Sequence, residues 1–277
     1  MSKRHPALVG GLLLSLLILA AFIPMQAGLS YFESIPRQND IPILMYHCVN
    51  YVPEGKQGAA DLYVSPEKFE EDLKYLSENG YQTVLPRELT SGAKLPEKPV
   101  MITFDDGYLD NYSNAFPLLK KYNMKAEISV IVSFAEDPAR TAYLNWDQIK
   151  EMSDSGLVEI GSHTYDRHGS SKDDMTITDE NVYGIKRLPG ESREDYKTRI
   201  VEDLILSKEL IEEKTGKEAI AFAYPYGYSR AFERSFTEKI FPVTFSTKDG
   251  TANIKDGLNN LPRHKSSDST ALSEVLH

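Results

Sequence analysis

Short runs that are apolar or β-branched at nearly every position, rather than at every second one, punctuate this chain. Strands of that kind are covered on both faces, as in a parallel sheet wrapped by helices. The runs fall at residues 41–46, 100–104, 126–132, 157–160, 219–224 and 243–246, with a last short one at 258–261. Helical patterns separate them. Ser65-Pro66 supplies an N-cap followed by proline at the first helical position, and Phe69, Leu73 and Leu76 then recur at helical spacing until Gly80. Trp146, Ile149 and Met152 mark a short helix ending near Gly156. Tyr196, Ile200, Leu204 and Ile211 trace a longer one from Ser192 to about Gly216. The alternation predicts one α/β domain around a parallel sheet, either a barrel or a doubly wound sheet.

A length of 277 residues suffices for one large core or two small ones. The domain is expected over residues 41–277, with a linker at 28–40 and an export segment at 1–27. In that segment Lys3, Arg4 and His5 precede an uncharged apolar run over residues 7–25, the two regions of a secretory signal. The run is also close to bilayer-spanning length. Ala27 offers a cleavage position, whereas Met25 is a poor small residue two places earlier, so the segment is a signal peptide or a retained membrane anchor. Positive charge ahead of the run leaves the rest of the chain outside the cytoplasm, which predicts an extracellular or cell-surface protein. Cys48, the single cysteine, cannot form an internal disulfide and sits in an apolar run as a buried thiol. The net charge of −10 argues against a general nucleic-acid binder and leaves a neutral glycan compatible.

Chemistry concentrates at strand ends. The run at 100–104 leads straight into Asp105-Asp106-Gly107-Tyr108. Adjacent side chains on a strand face opposite ways, so both carboxylates converge only if the chain leaves the strand there, and Gly107 permits the turn. Asp-Gly alone is a common turn pair. The run at 157–160 leads through Gly161-Ser162 into His163, with His168 five residues on. That spacing suits a loop better than a regular helix. Of the six histidines, four (His47, His163, His168 and His264) fall at or just past expected strand ends. One carboxylate and two histidines with positions left for water and substrate form a usual ligand set of a catalytic metal site. No Gly-rich phosphate loop is present to suggest phosphoryl transfer.

With these residues in view, the chain resembles the polysaccharide deacetylases of the NodB-homology type, carbohydrate esterase family 4. The resemblance spans roughly residues 40–265 and rests on Thr103-Phe104-Asp105-Asp106-Gly107 and on His163 with Thr164 and His168. Residues 41–47, ending in His47, and 222–227 fit as well. It implies a distorted (β/α) barrel of about seven strands. It also implies Asp105 as catalytic base and Asp106, His163 and His168 as ligands of one divalent ion, zinc foremost, with cobalt, nickel or iron as alternatives. Three departures stand out. The histidine spacing is five where four is usual, which is similar to the subgroup acting on poly-β-1,6-N-acetylglucosamine. Ala223 stands where the family has an arginine that orients the base. Leu261-Pro262-Arg263-His264 matches the family's last motif only in part, leaving His264 as a possible general acid.

The resemblance further implies hydrolysis of N-acetyl groups on an envelope or extracellular glycan. The tetrahedral oxyanion would meet the metal and the backbone N–H of Tyr226, after Pro225. His264 or His47 would protonate the leaving amine, with a structural, pocket-lining role the other reading for His47. Tyr108, Trp146, Tyr165 and Tyr226 offer flat rings for pyranose faces, with core packing the alternative for Trp146. Residues 169–190, polar and aperiodic, read as a long loop on the active-site side. Other targets of the same site are peptidoglycan N-acetyl groups or O-acetyl groups of xylan-like chains. A catalytically inactive carbohydrate-binding domain is the alternative of another class.

Overall fold

The computed structural model describes residues 39–55, 57–168 and 184–276. The expected export segment, nearly all of the expected linker and most of the expected loop at 169–190 lie outside the described residues. Among the described residues no helix is long and apolar enough to cross a membrane.

An eight-stranded sheet, parallel at every pairing, organises the domain. Its strands are β1 (Ile43–Tyr46), β2 (Gln82–Thr83), β3 (Pro99–Phe104), β4 (Ala126–Val130), β5 (Val158–Ser162), β6 (Ala221–Ala223), β7 (Val243–Phe245) and β8 (His264–Lys265). Seven run side by side in the order β7-β6-β5-β4-β3-β1-β8, and β2 adds to the start of β3. The segment before β8 returns to the far edge. The Ser246 N–H donates to the Leu261 carbonyl at 2.9 Å, and the Leu261 N–H donates to Thr244 at 2.8 Å. That contact draws the sheet into the expected distorted barrel. Residues 258–261 therefore form the seam of the barrel, and the last ladder strand is the polar pair His264–Lys265.

The two faces of the sheet explain the unbroken apolar runs. Ile43, Met101, Ala221, Ala223, Val243, Phe245 and Leu261 pack together in one cluster, which fills the barrel. Their neighbours Leu44, Ile102, Phe104, Ile128 and Ile160 pack outward against Phe69, Leu73, Phe116, Leu119, Ile149 and Met152. Each such side chain contributes about 1.5–3 kcal/mol when fully buried. Among the flanking helices, α1 (Pro66–Glu78) starts at the Ser65 cap, as expected. Two short helices follow, α2 (Pro86–Thr90) and α3 (Phe116–Tyr122). Further on come α4 (Val132–Glu136), α5 (Trp146–Asp154) and the long α6 (Arg193–Thr215). The Ser192 side chain caps α6 by accepting from the Asp195 N–H.

The barrel interior is not wholly apolar. Glu127 on β4 and Glu159 on β5 stand opposite one another in register, both buried. Glu159 accepts from the Arg87 Nε at 2.7 Å, whereas Glu127 receives only the Ser129 hydroxyl. Gly161 makes this possible, since a Cβ there would lie 2.2 Å from Glu127 Oε1. Burial holds the Glu127 carboxyl well above the usual carboxylate range, and the Ser129 donation does not offset it. The native state thus binds this proton more tightly than the unfolded chain. Its stabilising effect is complete below about pH 4.5, the ordinary glutamate value, and is lost as pH rises from there through the folded-state value. Glu127→Gln is neutral throughout and escapes that loss. In urea titrations its stability relative to the native protein should gain about 1.4 kcal/mol per pH unit above that point. A difference that stays flat with pH would mean that Glu127 is ionised in the fold.

Candidate active site

Thr103 and Asp105 share the inward face of β3 and its extension. The next carboxylate would point outward if the strand continued. Instead Asp106 takes a left-handed conformation, φ 74°, and turns back to the same end of the barrel. Gly107 follows at φ 73°, where a Cβ would come within 2.9 Å of Val130 Cγ1, so glycine is required by both conformation and space. The strand thus delivers two neighbouring carboxylates to one site.

Asp105 is buried against Arg263, which has no exposed surface. The guanidinium donates through Nη1 and Nη2 to the two carboxylate oxygens at 2.8 and 2.7 Å. Its Nε donates to the Ser246 carbonyl at 2.9 Å, and Nη1 also reaches Thr103 Oγ1 at 3.1 Å. Burial alone would raise the Asp105 pKa, but the facing arginine outweighs it and holds the carboxyl below the usual range. Arg263 therefore occupies the role that Ala223 vacates. Sequence reasoning missed it, although an arginine beside the last expected strand, in a chain lacking one at 223, was the available signal.

Asp106, His163 and His168 each offer a ligand atom, and the three atoms lie within 4.8 Å of one another. Asp106 Oδ1 sits 3.3 Å from His163 Nε2 and 3.2 Å from His168 Nε2, buried and without a hydrogen-bond partner. The His163 Nδ1 lies 2.8 Å from the Ala223 carbonyl. A carbonyl only accepts, so Nδ1 carries the hydrogen, and it is in the neutral ring that the Nε2 lone pair faces Asp106. Burial pushes His168 down to about 4, which keeps that imidazole neutral. Burial works the same way on His163, but Asp106 and Asp105 outweigh it and favour a positive charge there. Burial likewise opposes ionisation of Asp106, yet His168 and His163 hold its carboxyl well below the usual range. An unpartnered buried carboxylate oxygen, two neutral-capable imidazoles and an oriented second ring nitrogen fit a divalent cation.

The surrounding expectations divide. His47 lies close enough for its charge to favour ionisation of both Asp105 and Asp106. Its carbonyl accepts from Asn111 Nδ2 at 2.8 Å. Tyr226, 62% exposed, tilts against His168 with ring centroids 4.8 Å apart. It too is left-handed, φ 55°, directly after the buried Pro225. Tyr108 stacks on Tyr143 at 5.0 Å, and Asp106 raises the phenol pKa of both after burial has done so. Tyr143 was not anticipated, because it comes from the irregular stretch after α4 that bridges back to Tyr108. Tyr165 turns away, its hydroxyl donating to Glu136 at 3.2 Å. It lines a separate cleft of about 450 Å³ with Arg167, Arg199 and Asp203. Trp146 packs against the core. The structure does not bring His264 to the site. One residue beyond the inward Arg263, it faces Asp249 and Thr251 at 3.1 and 3.0 Å.

Barrel, carboxylate pair and histidine cluster together define a hydrolase site at the C-terminal ends of parallel strands. Residues 92–238 match the family described as polysaccharide deacetylase. YxkH of Bacillus subtilis (strain 168), named for such deacetylases, is 32% identical over 228 residues, 80% of this chain and 70% of its own. The poly-beta-1,6-N-acetyl-D-glucosamine N-deacetylase of Escherichia coli (strain K12) is 28% identical over 92% of this chain, which spans 41% of that protein. The solved de-N-acetylase from Aggregatibacter actinomycetemcomitans superposes with a TM-score of 0.72 at 26% identity, covering 84% of this chain and 97% of that one. The Streptococcus pyogenes deacetylase PplD, in complex with acetate, gives 0.69 at 25% identity over 87% of this chain and all of its own. The chain belongs to the polysaccharide deacetylase family and is a hydrolase of that family.

Arg263→Met would strand the Asp105 charge in the barrel, and urea denaturation should register a loss of about 3–5 kcal/mol. Adding Asp105→Asn should recover part of it. Simply additive losses in the double variant would show that the two side chains are not coupled.

Proposed function

We propose that this chain hydrolyses N-acetyl groups on an extracellular polymer of N-acetylglucosamine, with the β-1,6-linked polymer as the favoured substrate. The observation that carries the chemistry is the pairing of a carboxylate locked by Arg263 with the Asp106–His163–His168 cluster beside it. The linkage rests on the relatives named for poly-beta-1,6-N-acetyl-D-glucosamine and on the five-residue histidine spacing. Export of the domain, by a cleaved signal or a retained anchor, fits a substrate outside the cell.

Asp106 and the Nε2 atoms of His163 and His168 would hold the ion. A divalent ion bound there, zinc foremost, lowers the pKa of a water and polarises a carbonyl. Asp105 takes the proton of the attacking water as general base. The Arg263 fork keeps that carboxylate ionised and fixes both of its oxygens, so its orientation does not depend on substrate. The backbone N–H of Tyr226 faces the developing oxyanion in this reading. As the carbon–nitrogen bond breaks, the amine needs one proton, and His47 stands near enough to the base to supply it. Tyr226 and the Tyr108–Tyr143 pair offer flat surfaces for sugar rings.

Acetate release from β-1,6-linked and β-1,4-linked N-acetylglucosamine oligomers, with and without added zinc, tests this reading. Zinc-dependent release is expected, faster from the β-1,6 oligomers and lowered about 10²–10⁴-fold by Asp105→Asn. Faster release from the β-1,4 oligomers would move the substrate to peptidoglycan-like chains. Unchanged zinc stoichiometry in His163→Ala would remove that residue from the ligand set.

A further inference from the structure

His163 and His168 are five residues apart, a spacing that a helical turn would not bring to one point, so the loop between them must be bent by something else. Its bend has a definite anchor on α6. The Tyr165 N–H donates to Asp203 Oδ1 and the Asp166 N–H to Asp203 Oδ2, each at 3.0 Å. Two consecutive amides converging on one anion require the preceding residue to be turned, and Thr164 stands at φ 84°. A buried, β-branched residue in that conformation is strained and persists only where its surroundings fix it. Those surroundings are present on both sides. The carbonyls of Thr164 and Tyr165 accept from the Val132 and Ser133 N–H groups at 3.1 and 2.9 Å. On the other side stands Asp203, its side chain 3% exposed, with Arg167 Nε 3.6 Å from Oδ2.

We propose that Asp203 is a positioning residue for the metal centre, whose carboxylate clamps the Tyr165 and Asp166 amides and so sets where His168 is presented. It does not touch the ion or the substrate. The clamp accounts for the five-residue spacing: the additional residue lets the loop pass over Asp203 before His168 returns to Asp106. Without the carboxylate, two part-buried N–H groups lose their acceptor, and the loop that follows the strained Thr164 loses its anchor on α6. The inference rests on Asp106, His163 and His168 holding a metal.

The test is zinc affinity, measured by competition with a chromophoric chelator, for the native protein, Asp203→Asn and Ile211→Val. Asn keeps one acceptor oxygen and turns an NH2 towards the other amide, and zinc should bind about 10–100-fold more weakly, as for other groups that orient metal ligands. Ile211, a core residue two turns along the same helix, controls for general destabilisation, and its variant should bind zinc as the native protein does. Native affinity in Asp203→Asn, or an equal loss in Ile211→Val, would overturn the clamp while leaving the metal site intact. A native protein that takes up no zinc would instead refute the metal reading itself. If Asp203→Asn does not fold, amide exchange in the metal-free native protein decides the matter. Tyr165 and Asp166 should exchange as slowly as the interior of α6, and exchange at loop rates would count against the proposal.

Discussion

The ion pair between Arg263 and Asp105 ties the closure of the barrel to its chemistry. Two charges taken out of water cost several kcal/mol each, and their attraction repays this only when every remaining donor and acceptor is satisfied. Arg263 meets most of that condition, with acceptors placed for four of its five side-chain N–H donors. Its four contacts run to both Asp105 oxygens, Thr103 and Ser246, while its own N–H donates to Lys248. Ser246 and Lys248 follow β7, Thr103 lies in β3, and Arg263 itself sits between the seam and β8. The guanidinium therefore joins three separated parts of the sheet at the level of Asp105. A barrel that failed to close at residues 258–263 would also lose the group that orients Asp105.

This arrangement explains how the family's usual arginine can be absent without loss of order. Ala223 has no side chain to offer Asp105, yet its carbonyl lies 2.8 Å from His163 Nδ1 and orients that ring. Orientation of Asp105 and orientation of His163 are thus supplied by a residue next to β8 and by backbone, respectively. Space is decisive at Gly161, where the missing Cβ accommodates Glu127.

Much of this was legible in the chain because it depends on local pattern. Unbroken apolar runs marked six of the strands, Ser65 and Ser192 marked helix starts, and Asp105, Asp106, His163 and His168 fell at strand ends where the structure also brings them together. What escaped depends on long-range geometry. Strand β2 has two residues and too little pattern to be read, and β8 is polar. Arg263 is 158 residues from its partner Asp105, so no spacing rule connects them. His264 was drawn to the site by its motif, and the alternation of side chains along a strand turned it outward by a single position. Tyr165 was turned away by a loop whose course depends on α6, and Tyr143 came in from an irregular stretch.

Among the described residues, five that are not glycine have positive φ, and three of them, Asp106, Thr164 and Tyr226, lie within or beside the Asp106–His163–His168 cluster. Each such conformation costs on the order of 1–3 kcal/mol and is kept only where neighbours over-determine it. Each also does something the relaxed backbone would not. At Asp106 it brings a second carboxylate to the side of the first. At Thr164 it turns two amides onto Asp203, and at Tyr226 it sets an exposed ring against His168. The strain is concentrated where three loops leave parallel strands at one end of the barrel, and the rigid sheet beneath holds it there. The separations between Asp105, Asp106, His163, His168 and the exposed ring of Tyr226 are then set by the fold itself, through backbone conformations that the sheet and its neighbouring helices hold in place.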